Sequence, residues 1–185
     1  KYIEIGGYEI VRKDRNRVGG GVAIYYRDHL NVRNRDELVP EGVEAVCVEV
    51  LKTKCAPLLI STIYRPPSSK VDIFEKIENL IQNLDDENKE IILAGDVNCD
   101  LLANVRSNHT NRLLTIANLF QLTQIIDEPT RVTECTSTLV DWLMTNKPEN
   151  ICSTGVLHLG VSDHSLIYGC RKIAFSRNPS KLVES

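Results

Sequence analysis

Ile91-Ile92-Leu93-Ala94-Gly95-Asp96-Val97-Asn98 is the most telling stretch of this 185-residue chain. From Glu90 to Ala94 it is nearly all apolar, the pattern of a short strand buried on both faces in the middle of a sheet. Such a strand delivers a carboxylate, Asp96, and a carboxamide, Asn98, two residues apart at its C-terminal edge. On an extended backbone both side chains leave on one side and Val97 on the other. A carboxylate can bind a hard cation or take a proton from water, and a carboxamide offers a donor and an acceptor. The same pair also suits a turn in which Asp and Asn cap backbone groups, and the residues leave both readings open.

On the N-terminal side the chain reads as a series of strands. Alternation around Tyr8–Val11, a break at Gly19-Gly20-Gly21, and renewed alternation over Val22–Tyr26 predict two of them. Val43–Leu51 predicts a third, with Val46, Val48 and Val50 on one face and Cys47 and Glu49 on the other. Pro57–Ile63 predicts a fourth. Four strands joined by short polar turns argue for antiparallel pairing. The period then changes. Val71, Phe74, Ile77, Leu80, Ile81 and Leu84 mark one face of a helix, with Ser68 or Ser69 as its cap after Pro66-Pro67. Arg112–Leu119 predicts a second helix with Leu113, Ile116, Ala117 and Phe120 inward. Leu139–Met144, Ile151–Leu157 and Leu166–Cys170 are the last strands. Strands, then helix, strand, helix and strands, fit a layered α/β or α+β domain over 1–173 with a polar tail over 174–185.

Composition is that of an ordinary globule: 42% hydrophobic, 25% charged, net charge -3. No run reaches the roughly 18 apolar residues of a membrane span, and no signal-peptide series opens the chain. Lys1 in place of an initiator methionine suggests a fragment or a processed form. A protein that wraps DNA non-specifically is more often basic, but an enzyme gripping one phosphate through a metal needs no basic surface. The basic run Lys13–Arg17 and the acidic run Asp85–Glu90 are local. Cysteines 47, 55, 99, 135, 152 and 170 form no CxxC and no compact zinc spacing. Cys47 and Cys170 fall in apolar runs, where a thiol acts as a small hydrophobe. Reduced thiols and an intracellular protein are the expectation.

Further polar residues stand where chemistry could use them. Ser162-Asp163-His164 precedes an apolar strand, and imidazole titrates near neutrality, so it suits proton transfer or help to a phosphoryl group. A structural turn would account for the same residues. Asp141 lies inside Leu139-Val140-Asp141-Trp142-Leu143, where a carboxylate is costly unless paired, and a histidine ring nitrogen is its natural partner. The wet face of a half-buried strand is the alternative. Thr138 could hydrogen-bond a phosphate or be a plain strand threonine. Tyr64, ahead of Arg65-Pro66-Pro67, should stand at a strand rim. Asn108–Asn111 reads as a polar loop that touches substrate or simply connects. His29, His109 and His158 read as solvated, although His109 could sit over a substrate groove.

Taken together, Tyr64-Arg65-Pro66-Pro67, Gly95-Asp96-Val97-Asn98, Ser137-Thr138-Leu139-Val140-Asp141 and Ser162-Asp163-His164 resemble the endonuclease/exonuclease/phosphatase superfamily. Within it the chain is most similar to the apurinic-type endonuclease domain of non-LTR retrotransposon (reverse transcriptase) proteins. Gly19-Gly20-Gly21-Val22-Ala23-Ile24-Tyr25, Pro129-Thr130-Arg131-Val132-Thr133 and Thr145-Asn146 match segments typical of that branch.

The resemblance implies a four-layered sandwich, two facing mixed β-sheets with outer helices. It implies hydrolysis of DNA phosphodiesters with Mg2+ or Mn2+, in the nucleus. By resemblance Asp96 positions or deprotonates the attacking water, Asn98 holds water and phosphate, and Tyr64 hydrogen-bonds the scissile phosphate. His164, oriented by Asp141, stabilises that phosphate. Asp163 serves the metal, while Thr138, Asn108 and Arg65 line the substrate. The product would carry a 3' hydroxyl that primes reverse transcription. The family's usual first strand, first helix and metal-binding glutamate precede the equivalent of Gly6-Gly7-Tyr8, and this sequence starts at Lys1. An incomplete N-terminus, weak or absent nicking, and a sheet edge covered by a missing segment or a second copy are therefore expected. Two other readings remain: an inactive scaffold that binds a phosphate ligand or a protein partner, and a phosphatase or exonuclease of the same superfamily.

Overall fold

The computed structural model describes residues 3–15, 20–51 and 56–172. The end of the basic run from Asn16 to Arg17, Gly19, Cys55 and the C-terminal tail lie outside them.

Six strands form the central sheet, in the order β3 (Asn31–Asn34), β4 (Glu44–Leu51), β5 (Leu58–Tyr64), β6 (Glu90–Asp96), β10 (Asp141–Thr145), β7 (Thr123–Gln124). β5 and β6 run parallel and the other pairs antiparallel, so the sheet is mixed. The parallel step follows from α1 (Ile73–Asp85), which carries the chain from one strand back to the start of the next. Its apolar stripe is as the spacing predicts: Phe74, Ile77, Leu80, Ile81 and Leu84 are all fully buried. Burying each such side chain contributes about 1.5–3 kcal/mol, which holds the helix on the sheet.

The helix starts differently from the sequence reading. Ser69 turns back to bond Pro66 O through both its N–H and its hydroxyl, Asp72 takes the cap position, and Val71 is exposed. The polar loop expected over Asn108–Asn111 is instead the first turn of α2 (Asn108–Leu119). Ser107 caps it by accepting from Thr110 N. Leu113, Ile116 and Ala117 join the core of α1 and the sheet, with Phe120 just past the end of the helix.

The opposite face of the sheet carries two separate antiparallel ladders among the described residues, a sandwich-like arrangement. One pairs β1 (Tyr8–Asp14) with β2 (Gly21–Arg27), and the other pairs β11 (Ile151–Leu157) with β12 (Leu166–Arg171). The first ladder packs on β4 and β5, which buries Val46 and Val48. The second packs Val156 and Ile167 against the core, and Arg171 fastens it to the foot of β6 by donating to both oxygens of Glu90 at 2.6 and 2.7 Å. Among the described residues, the helices, the mixed sheet and the two ladders stack as a sandwich-like α/β fold. Cys47 is buried, but Cys170 is exposed on the outer ladder and not packed as a hydrophobe.

An ion-pair network closes the far edge of the sheet. Arg35, after β3, donates to Glu37, to Glu49 at 2.8 Å and to Glu87 at 2.8 Å, and Lys89 bridges Glu49 and Glu87. Glu49 is the strand residue assigned by alternation to the face of Cys47, and burial there is tolerable only because two cations meet it.

Candidate active site

β6 leads to the site, and Gly95 explains how closely. Its φ is 133°, and a Cβ there would lie 1.9 Å from Ile63 O of the neighbouring strand. Only glycine lets β6 press this tightly on β5 one residue before Asp96. The two strands finish side by side, with Arg65 N donating to Asp96 O at 2.8 Å. Tyr64 and Asp96 thereby end adjacent strands at one rim.

Asp96 and Asn98 meet through a turn, not through strand alternation. β6 ends at Asp96, and Asn98 is left-handed with φ 49°. Asn98 N donates to Asp96 Oδ1 at 2.8 Å, and Asn98 Nδ2 donates to Asp96 Oδ2 at 3.1 Å and to Arg65 O at 2.9 Å. The turn of the capping reading is present, and it fixes both side chains. Arg65 is buried beneath that turn. Its Nε donates to Val97 O at 2.6 Å and its Nη2 to Asn98 O at 2.9 Å, so it shapes the loop from below instead of facing a substrate.

Asp141 comes alongside by sheet pairing. It stands directly opposite Asp96 in the antiparallel register of β6 and β10. His164 comes from the far end of the chain. Its Nδ1 lies 3.2 Å from Asp141 Oδ2, the carboxylate–imidazole pair the sequence suggested. One ligand atom each from Asp96, Asp141 and His164 lie within 4.8 Å of one another. Two carboxylates and an imidazole at this spacing are a donor set that suits a divalent cation. Burial is the largest influence on Asp96 and pushes its carboxyl above the usual aspartate range. Asn98 N opposes that shift, Asp141 adds to it, and His164 and Arg131 counter it.

Asp163, expected at the metal, lies outside this group of three. Its Oδ2 accepts from Arg131 Nε at 2.7 Å, and the guanidinium holds its carboxyl below the usual range. Thr138 is half-buried in β9 (Ser137–Thr138), which pairs with β8 (Arg131–Val132), and its hydroxyl leans on Arg131 O at 3.5 Å. Asn108 is exposed at the start of α2, next to His109, whose ring stacks on Phe74 at 4.9 Å between centroids. Tyr64 lies under the Arg15 guanidinium, 4.8 Å from its ring centroid, and edges a cavity of about 240 Å³ shared with Pro66, Ser69 and Lys70.

Three supporting residues escaped the sequence reading. Thr130 is fully buried, and its hydroxyl accepts from Val140 N and Asp141 N, both at 3.2 Å. Asp100 Oδ1 accepts from Leu102 N and Leu139 N at 3.0 Å, tying the loop after β6 to the approach of β10. Gln124 bonds Leu143 N and Asp141 O. Apart from the bond to Leu102 N, these are side-chain–backbone bonds between distant parts of the chain, for which a single sequence has no periodic signal.

Residues 58–168, more than half of the chain, match the family model described as endonuclease-reverse transcriptase. The chain belongs to that family. It is accordingly a member of the endonuclease/exonuclease/phosphatase superfamily, and the motifs around Asp96, Asp141 and His164 lie within the matched span. No curated protein matches the chain in sequence. Solved structures share the fold of this endonuclease-reverse transcriptase domain. The endonuclease domain of TRAS1, a telomere-specific non-LTR retrotransposon, superimposes with a TM-score of 0.75 at 17% identity, over 90% of this chain and 80% of that one. The catalytic domain of Xenopus laevis APE2 gives 0.68 at 14% identity, over 94% and 79%. A family protein from Leptotrichia buccalis gives 0.61 at 14%, over 90% and 72%.

Proposed function

We propose that this protein cleaves phosphodiester bonds in DNA with the help of Mg2+ or Mn2+, as the endonuclease of a retrotransposon-type protein acting in the nucleus. The observation that carries the reading is the convergence of Asp96, Asp141 and His164, from three separate parts of the chain, within 4.8 Å. The family match and the fold shared with the TRAS1 endonuclease domain support DNA as the substrate.

One oxygen of Asp141 faces His164 Nδ1, which leaves its other oxygen and the Asp96 carboxylate as the oxygen donors for the cation. A bound divalent ion would polarise the phosphate and ease departure of the 3' oxygen. Asp96, desolvated and held by Asn98, is suited to align the attacking water and accept its proton. The side-chain Oδ1 of Asn98 is left for that water, its Nδ2 being spent on Arg65 O and Asp96. His164, held by Asp141, presents its other ring nitrogen to a phosphate oxygen. Tyr64, at the adjacent strand end, offers its hydroxyl to the same phosphate, and Thr138 lines the approach.

The reading is tested by nicking of supercoiled plasmid DNA with Mg2+ or Mn2+, compared with EDTA. Weak metal-dependent nicking that disappears in Asp96→Asn is expected. Nicking unaffected by either change would exclude it.

A further inference from the structure

A row of three residues crosses the site rim. Thr138 pairs with Arg131, and Arg131 pairs with His164 through an isolated antiparallel bridge. Residues paired across strands carry their side chains on the same face, so Arg131 shares the face of His164. The segment around it is pinned on both sides. Ser165 N donates to Thr130 O at 2.7 Å and Val132 N to Asp163 O at 2.9 Å, while the Thr130 hydroxyl holds the backbone of Asp141. Arg131 thus stands on the piece of chain that joins the strand of Asp141 to the segment of His164.

Its side chain is 43% exposed, and the guanidinium is fixed at one edge, where Nε donates to Asp163 at 2.7 Å. The two Nη groups make no hydrogen bond among the described residues. Asp96 and Asp141 both act electrostatically on Arg131, and Arg131 acts back on Asp96, so the charge lies within reach of both carboxylates. Two carboxylates repel an approaching phosphodiester. A planar fork held at one edge by Asp163 and open at the other offers two parallel donors to phosphate oxygens.

We propose that Arg131 grips a phosphate of the bound strand, and that Asp163 is a positioning residue that aims this guanidinium instead of a metal ligand. The inference rests on the phosphodiesterase reading above and adds a substrate contact and a different job for Asp163.

The test uses the full chain with a short DNA duplex in EDTA, across a range of salt concentrations, together with Mn2+ titration by calorimetry and steady-state nicking. Arg131→Gln is expected to weaken duplex binding roughly 10- to 100-fold, the loss of a charge-assisted contact. The loss should be equal for unrelated sequences, and the slope of log affinity against log salt should fall by about 0.9. Nicking should lose through KM more than through kcat. Arg131→Lys should restore the salt slope but only part of the affinity, and it serves as the second variant if the glutamine form folds poorly. Asp163→Asn should weaken duplex binding in the same direction and leave Mn2+ affinity unchanged, whereas Asp96→Asn lowers it. Unchanged affinity and slope in Arg131→Gln, or Mn2+ binding lost in Asp163→Asn as in Asp96→Asn, would overturn the inference while metal-dependent nicking by the parent protein still stood. A parent chain that neither binds nor nicks DNA would remove both.

Discussion

Asp96 and Asp141 stand directly opposite each other where β6 pairs with β10. Like charges at a cross-strand pair oppose folding, and here burial adds to the cost. Nothing about packing calls for two acids at this position. The cation proposed above would offset this repulsion.

The first prediction follows from that opposition. Asp96→Asn should be slightly more stable than the parent chain without metal, by about 0.2–1 kcal/mol, because the amide oxygen can still accept from Asn98 N. It should lose Mn2+ binding and DNA nicking at the same time. Urea melts in EDTA, read alongside calorimetric titration, would show whether stability and function move in opposite directions.

A second prediction concerns acid. Burial and Asp141 raise the Asp96 carboxyl, so its charged form disappears at a higher pH than for an ordinary aspartate. Mn2+ affinity should therefore start to fall above the usual aspartate range as pH is lowered. For stability the sign is reversed. The folded state holds this proton more tightly than the unfolded chain, so the Asp96 contribution to stability declines as pH rises through the raised value. Mn2+ affinity that stayed flat down to the ordinary aspartate range would contradict this.

The Arg35 network gives a third. Arg35 and Lys89 bring Glu87 down to about 2, and Lys89 and then Arg35 hold Glu49 low as well. A depressed carboxyl stabilises the fold above its ordinary value, and that stability is lost as pH falls toward about 2. Arg35→Met should cost about 3–5 kcal/mol at neutral pH, because it removes a cation from a buried carboxylate. The cost should shrink in acid, where Glu49 takes up a proton. Denaturant melts of both proteins at pH 7 and pH 3 would measure it.

Gly95 carries a fourth. Any side chain there meets Ile63 O at 1.9 Å from backbone to backbone, with no flexible partner to give way. Gly95→Ala should cost more than about 4 kcal/mol or prevent folding altogether. Soluble, normally melting Gly95→Ala protein would show that β5 and β6 do not approach as described.

Much of this was legible from sequence because the features are local. Ile91–Ala94 is a strand, the stripe from Phe74 to Leu84 is a buried helix face, and Ile151–Leu157 and Leu166–Cys170 are strands, all from periodicity alone. Asp141 inside an apolar run pointed to a histidine partner, and His164 is that partner. The parts that were not legible depend on distant groups. β7, β8 and β9 have two residues each and exist through bonds made by Gln124, Thr130 and Asp163, too short for any period to show. Arg65 stood among the residues expected to line the substrate. Only the fold shows that three carbonyl oxygens wait beneath it. Asp163 was read from its neighbour His164, while its actual partner, Arg131, lies 32 residues away.

The most direct measurement is nicking of supercoiled plasmid by the chain with Mg2+ or Mn2+, run beside EDTA and beside Asp96→Asn, Asp141→Asn and His164→Ala. Metal-dependent nicking that is weak in the parent chain and falls to the EDTA background with each substitution is the predicted result. Nicking in EDTA, or metal-dependent nicking undiminished in all three variants, would contradict the account.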